Sequence, residues 1–312
     1  MTSKKPNNIP ASIRSRLLNE SKKRGETFDQ LLTLYVGERL LYRLSQSPYQ
    51  KQYILKGATL FKVWNGEPHR ATNDLDFLSF GNNEVEHIKK VFQEICLIEC
   101  EEDGIIFVPE SIEAEVIKED QQYKGVRVTI KGKLATIPRP CKLQVDIGFG
   151  DAVTPKAKEE VIDTILDVPK PKLIIYPRET VIAEKFQAMV DLGIKNSRLK
   201  DFYDIWFLCK DFEFQGDLLC QAIGNTFERR KTKIPIKEPL ALTQEFTNDP
   251  NKQKQWTAFL NKIKKGNPQL TFDEVVTVIK SFIMPPCIAY VKNEKFDKVW
   301  NVGGFWQNQN IE

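Results

Sequence analysis

Ile13, Leu17 and Leu18 fall on one helical stripe between Pro10 and Arg24, Gly25 breaks it, and the pattern resumes from Thr27 to Leu44. The chain therefore opens with helices. After Ser47-Pro48 the period shortens: Tyr53 to Leu55 reads as an apolar strand that runs into Gly57-Ala58-Thr59 and a helical stretch through Trp64. Asn65-Gly66-Glu67-Pro68 is loop by composition. Asp74 to Phe80 is a second strand, closed by Gly81-Asn82-Asn83, and a helix from Glu84 to Cys96 follows. Alternating segments then run from Ile105 to Val108, Ile112 to Ile117, Val126 to Ile130 and Lys142 to Ile147. They are split by Gly125, Gly132 and Pro138-Arg139-Pro140, and their short connections predict mostly antiparallel pairing.

From Glu179 helical patterns dominate, first Thr180 to Leu192 with Gly193 as the stop, then Leu199 to Leu208, then several more to the end. Pro169, Pro171 and Pro177 crowd the stretch before them, which marks a boundary. The expectation is an α+β protein: an N-terminal helical segment over 1–48, a mixed-sheet core over 49–176 and a helical C-terminal domain over 177–312. No internal repeat or low-complexity segment interrupts this plan.

Composition narrows the chemistry. With 312 residues, 41% hydrophobic and 28% charged, the chain can bury a substantial core and sits at the length where one domain becomes two. The formal charge is only +4, but the basic residues are clustered. One run is Lys4, Lys5, Arg14, Arg16, Lys22, Lys23 and Arg24; a second is Arg229, Arg230, Lys231, Lys233 and Lys237; a third is Lys252, Lys254, Lys262, Lys264 and Lys265. Such runs either track phosphates or are solvated helix faces and turns. The six cysteines include no CxxC pair and, with His69 and His87 as the two histidines, give no zinc-like grouping; they read as reduced core thiols. A polar, basic N-terminus and the lack of a long unbroken apolar run point to a cytoplasmic protein with no membrane partner. So few histidines leave carboxylates as the candidate catalysts.

Asp74 and Asp76 lie two apart in a predicted strand, so their carboxylates leave one face while Leu75 and Phe77 leave the other. In the strand Lys142 to Ile147, Leu143, Val145 and Ile147 fill one face and Lys142, Gln144 and Asp146 the other. Asp146 can thus complete a cluster with Asp74 and Asp76. Three converging carboxylates need a hard cation to offset their repulsion, and an all-oxygen ligand set favours Mg2+ or Mn2+ over zinc. A DxD pair alone is also an ordinary solvated strand end. Upstream, Gly57-Ala58-Thr59 forms a small turn between strand and helix, suited either to phosphate approach or simply to opening and capping the helix.

These segments resemble the nucleotidyltransferase-like AbiEii/AbiGii toxins of the DNA polymerase β-like superfamily. The resemblance is carried by Leu55-Lys56-Gly57-Ala58-Thr59-Leu60 with Arg70-Ala71-Thr72-Asn73-Asp74-Leu75-Asp76-Phe77, and by Lys142-Leu143-Gln144-Val145-Asp146-Ile147. It continues through Glu179 to Lys185, Arg198-Leu199-Lys200-Asp201-Phe202-Tyr203-Asp204, Thr226 to Thr232 and the Gln255-Trp256 region, from about residue 50 to 265. Where the family has a second glycine, this chain has Ala58. The resemblance implies a polymerase β-like core, metal and triphosphate at Asp74 and Asp76, and phosphates seated by Gly57, Ala58 and Thr59. It also implies functional roles for Lys185 and Asp201. Asp204, which shares a helix face with Asp201, and Arg198 join the candidate nucleotide contacts, with Arg178 as a further one.

Bland readings stand beside these. Lys185 reads equally as a surface lysine paired with Glu184 or Asp191, and Asp201 and Asp204 as solvated acids. The activity implied is transfer of a nucleoside monophosphate from an NTP, with Mg2+ or Mn2+, onto an acceptor such as the tRNA 3′ end, within a toxin–antitoxin or abortive-infection (phage-defence) system whose partner is an antitoxin protein. Two rivals share the core. One is a catalytically silent nucleotide- or RNA-binding module that acts by sequestration, which Ala58 favours; the other is a small-molecule adenylyltransferase, which lacks the Lys185 and Arg198 to Asp204 motifs.

Overall fold

Ile9–Arg24 forms α1, with Asn8 capping its first turn and Gly25 closing it in the left-handed conformation at φ 63°. Phe28–Gln46 forms α2, opened by a capping box between Thr27 and Gln30. The computed structural model describes residues 8–66, 74–120, 123–263 and 269–308. Lys4, Lys5, the Glu67-Pro68 end of the loop, the Arg70 to Asn73 part of the motif, Lys264 and Lys265 lie outside the described residues.

The chain divides into two compact units, residues 1–150 with 158–175 and residues 151–157 with 176–312. In the first, β1 (Tyr53–Lys56), α3 (Thr59–Asn65), β2 (Asp74–Ser79) and α4 (Val85–Cys96) follow the two helices. Then come β3 (Ile105–Phe107), β4 (Glu113–Asp120), β5 (Tyr123–Leu134), β6 (Cys141–Phe149), β7 (Lys158–Val161) and β8 (Lys172–Ile175). These eight strands make one mixed sheet, ordered β3-β5-β6-β2-β1-β8-β7 with β4 also paired to β5. The antiparallel pairing expected for the middle strands holds for β3, β4 and β6 on β5. Parallel pairing of β6 on β2 and of β8 on β1 arises where helices intervene in the chain.

One sheet face is apolar. Leu55, Leu75, Phe77, Val126, Val128, Ile130, Leu143, Val145 and Ile147 are all buried, as strict alternation demands. Leu31, Tyr35 and Val36 of α2 and Ile88, Val91 and Phe92 of α4 are buried with them. An internal ion pair anchors α2, with Arg43 Nη1 2.7 Å from Asp103 Oδ2 and both side chains almost fully buried.

The second unit comprises α5 (Arg178–Leu192), α6 (Leu199–Asp211), β9 (Phe214–Gln215), α7 (Gly216–Arg229), α8 (Gln244–Thr247), α9 (Pro250–Leu260), α10 (Phe272–Lys292), β10 (Lys298–Asn301) and β11 (Phe305–Asn308). Two features depart from the sequence reading. The proline-crowded stretch holds β8, whose four residues are too few to show alternation. The C-terminal region is also not all helix, since β9, β10 and β11 form a small antiparallel sheet turned at Gly303 and Gly304, both at positive φ.

α10 combines length with apolar character. It is long and apolar enough, by length and composition alone, to cross a membrane, with Lys280 interrupting it. Val275, Val276, Ile279, Phe282, Ile283 and Cys287 are nonetheless buried within the second unit, so the helix serves as its core.

Candidate active site

β2 enters the sheet at Asp74, which is exposed, and alternation brings Asp76 out on the same face while Leu75 and Phe77 are buried on the other. Register then extends the polar face sideways. Asp76 lies opposite Lys56 on β1 and Asp146 on β6, Asp146 lies opposite Arg127 on β5, and Arg127 opposite Glu115 on β4. Directly paired residues share a face, so Lys56, Asp76, Asp146, Arg127 and Glu115 form one charged row across five strands. Asp74 belongs to the next row, opposite Gln144, which itself lies opposite Thr129.

Gly57 explains the turn beside this row. Its φ is +79°, and a Cβ built there would come 2.0 Å from Asp76 Oδ2 and 2.8 Å from Asp76 Cβ. The position therefore needs glycine twice over, once for its backbone and once for the space that the carboxylate takes. Ala58 follows in the ordinary right-handed region at φ −70°, a conformation its methyl group does not disturb. Thr59 begins α3 and gives no capping hydrogen bond, so the capping alternative for this turn is not what the structure shows.

Asp146 is on the expected face, but its oxygens are engaged. Arg127 Nε and Nη2 each donate to one carboxylate oxygen at 2.8 Å, and Gln144 Nε2 donates to Oδ2 at 3.2 Å. The two hydrogen bonds to Asp146, helped by the fields of Asp74 and Glu115, hold Arg127 even more firmly protonated than an ordinary arginine. Among the described residues no three His, Cys, Asp or Glu side chains gather as a cage for a metal ion. Of the three carboxylates of the sequence reading, Asp76 and Asp146 thus stand in one row with a guanidinium, and Asp74 stands in the next. What fits a hard divalent cation is the Asp74 and Asp76 pair, two oxygen donors on one face beside the space that Gly57 leaves.

The second unit holds another acidic pair. Asp201 and Asp204 share a face of α6 and are buried, and Lys185 of α5 reaches both, its Nζ 2.5 Å from Asp201 Oδ1 and 2.8 Å from Asp204 Oδ2. The Lys185 side chain is 15% exposed, so it is not the surface lysine of the alternative reading. Arg198 Nε lies 2.9 Å from Asp201 Oδ2, and its side chain is 41% exposed, so it caps the cluster at the surface. Four sequence-selected residues, Lys185, Arg198, Asp201 and Asp204, therefore form one network. The solvated-acid reading fails for both aspartates.

Several basic residues prove to be internal. Arg178 stacks over Phe212, 4.4 Å from the ring centroid, and burial lowers its pKa. Arg230 Nη2 is 3.1 Å from Asp151 Oδ1, and Lys252 Nζ donates to the Asn196 carbonyl at 2.6 Å. At the surface, by contrast, Arg16 Nη1 donates to the Asp167 carbonyl at 3.4 Å. Lys56 and Arg127 are the site residues that sequence reasoning did not single out. The signal for Arg127 lay in the alternation of Val126, Val128 and Ile130, which leaves an arginine on the carboxylate face.

The family described as nucleotidyl transferase AbiEii toxin, type IV toxin–antitoxin system, matches residues 39–278. The chain belongs to that family. Its members are nucleotidyltransferases with a nucleotide substrate, a divalent metal and an antitoxin partner. Two solved structures from Helicobacter pylori are similar to this AbiEii chain at 18% identity and a TM-score of 0.47 each. One is a candidate nucleotidyltransferase, with 90% of this chain and 99% of that chain covered; the other is JHP933, with 89% and 96% covered. Comparison with curated proteins gives no match.

Proposed function

We propose that this AbiEii protein transfers a nucleoside monophosphate from an NTP to an acceptor hydroxyl, with pyrophosphate as the leaving group, and that the acceptor is an RNA 3′ end such as that of tRNA. The observation that carries the reading is the Asp74 and Asp76 pair set against Gly57, where the missing side chain makes room for the carboxylate. Asp74 and Asp76 would hold Mg2+ or Mn2+, which supplies positive charge to the phosphates and acidifies the attacking hydroxyl.

The chain's own residues do the rest. Gly57 and Ala58 let backbone N–H groups approach phosphate oxygens, and Thr59 adds a hydroxyl. Lys185 is the phosphate-binding cation assigned to the second unit; Asp201 and Asp204 fix the place of its ammonium. Arg198, partly exposed at the edge of that cluster, is the second phosphate contact in this unit. Exposed basic residues such as Arg229 suit an RNA acceptor, whereas Arg230 and Lys252 are committed internally. Ala58 in ordinary backbone removes the one feature that favoured a silent module.

The test is transfer from each of four α-labelled NTPs, with Mg2+, onto total cellular RNA, alongside Asp76→Ala. Label on a tRNA-sized band with one NTP, absent in the variant, is the expected result. Label on protein or small molecules alone would discard the RNA acceptor. Undiminished transfer by Asp76→Ala would discard the site.

A further inference from the structure

Asp146 lies in register with Asp76, on the same face, and would be the natural third ligand of a two-cation centre. Its environment opposes that role. A hard cation binds through carboxylate lone pairs, and here both oxygens accept charge-assisted hydrogen bonds from one guanidinium at 2.8 Å, with Gln144 adding a further donor. The fork geometry is bidentate, the arrangement in which arginine matches a carboxylate best. Asp146 is 14% exposed and Arg127 35%, so the pair is only partly screened by solvent. Arg127 comes from the neighbouring strand, directly opposite, and is positioned by the ladder rather than by a loop. Asp74 contrasts with it: it is exposed and in a different row.

Resting on the nucleotidyltransferase reading, we propose that Arg127 is a positioning residue that takes Asp146 out of the metal-ligand set. The protein then binds one divalent cation through Asp74 and Asp76, and the guanidinium stands as a fixed positive charge where a second cation would otherwise be held. Arg127 thereby sets the number of cations, a property that depends on the guanidinium itself and not on strand packing.

Mn2+ titration of the full-length protein, with unbound Mn2+ counted by electron paramagnetic resonance, tests this without turnover. The expected result is one equivalent that is lost in Asp76→Asn and stays within about twofold of its affinity in Asp146→Asn. Arg127→Gln frees the third carboxylate and tightens Mn2+ binding roughly tenfold or adds a second equivalent, and combining it with Asp146→Asn cancels that gain. The double variant, which is neutral at both positions, covers the possibility that a single change unbalances the sheet, and thermal melts of all four variants check folding. Two equivalents in the unmodified protein, a loss in Asp146→Asn as large as in Asp76→Asn, or no gain in Arg127→Gln would each overturn the proposal while leaving the Asp76 site in place. No Asp76-dependent binding at all would overturn the functional reading and this inference together.

Discussion

Two pairs of aspartates stand out in this protein, and they are built in opposite ways. Asp74 and Asp76 are spaced by the period of a strand and come out on the polar sheet face, with Asp74 exposed. Asp201 and Asp204 are spaced by the turn of a helix, are 1% and 0% exposed, and share the ammonium of Lys185. Buried carboxylates without a counter-charge would be costly, so the second pair exists only because its cation is part of the chain. The first pair sits where a cation can arrive from solvent. The contrast separates a site that binds its charge from one that has it built in, and it predicts that the two pairs respond differently to the same substitutions.

The largest effect is expected at Asp76. Asp76→Ala should lower transfer by at least about a thousandfold, since a metal-held charge supplies several kcal/mol to the transition state. The melting temperature should barely move, because a half-buried strand carboxylate contributes little to packing. Asp204→Ala should do the reverse first: leaving Lys185 with half its counter-charge in a buried network costs about 3 kcal/mol of stability, readable by denaturant titration. A folded, stable Asp204→Ala protein would break the comparison.

Next comes the turn. Gly57→Ala must place a methyl group where Asp76 Oδ2 lies and hold φ at +79°, so it should cost about 2 kcal/mol and also weaken Mn2+ binding. Gly193→Ala is the matched control in the other unit, since its φ is +48° but nothing lies within 4 Å of the added Cβ. Its ψ of −128° lies outside the left-handed helical region, so the substitution should cost about 2 kcal/mol from strain alone and leave Mn2+ binding unchanged. Equal effects of the two on Mn2+ binding would mean that backbone strain, and not the approach to Asp76, is what Gly57 serves.

How legible all this was depends on the range of the interaction. Alternation marked Asp74, Asp76 and Asp146 as sharing a face, and the strand that carries each was found to within a residue or two. What the sequence could not show is which cation each acid faces. Arg127 and Asp146 are 19 residues apart and meet only through the β5 and β6 register; Lys185 and Asp201 are 16 apart and meet only through the crossing of two helices. Alternation also failed where a strand was too short to display it, as in β8. The expectation of helices to the end failed for the same reason, because β9, β10 and β11 are only two to four residues long and are held by distant contacts such as the Trp300 indole N–H donating to the Cys209 carbonyl at 2.7 Å.

The smallest effect sharpens the comparison most. Adding Mg2+ at ten times its dissociation constant stabilises a protein by about 1.4 kcal/mol, which corresponds to a rise of roughly 2 °C in a chain of this size. That rise should vanish in Asp76→Asn, whose remaining carboxylate cannot form the pair. It should persist in Asp204→Asn, even though that variant melts lower, because the helical pair already shares the ammonium of Lys185. A thermal melt of the three proteins with and without Mg2+ gives the answer directly. Loss of the shift in Asp204→Asn would mean that the helical pair also takes part in cation binding, and the division between a site that binds its charge and one that has it built in would have to be abandoned.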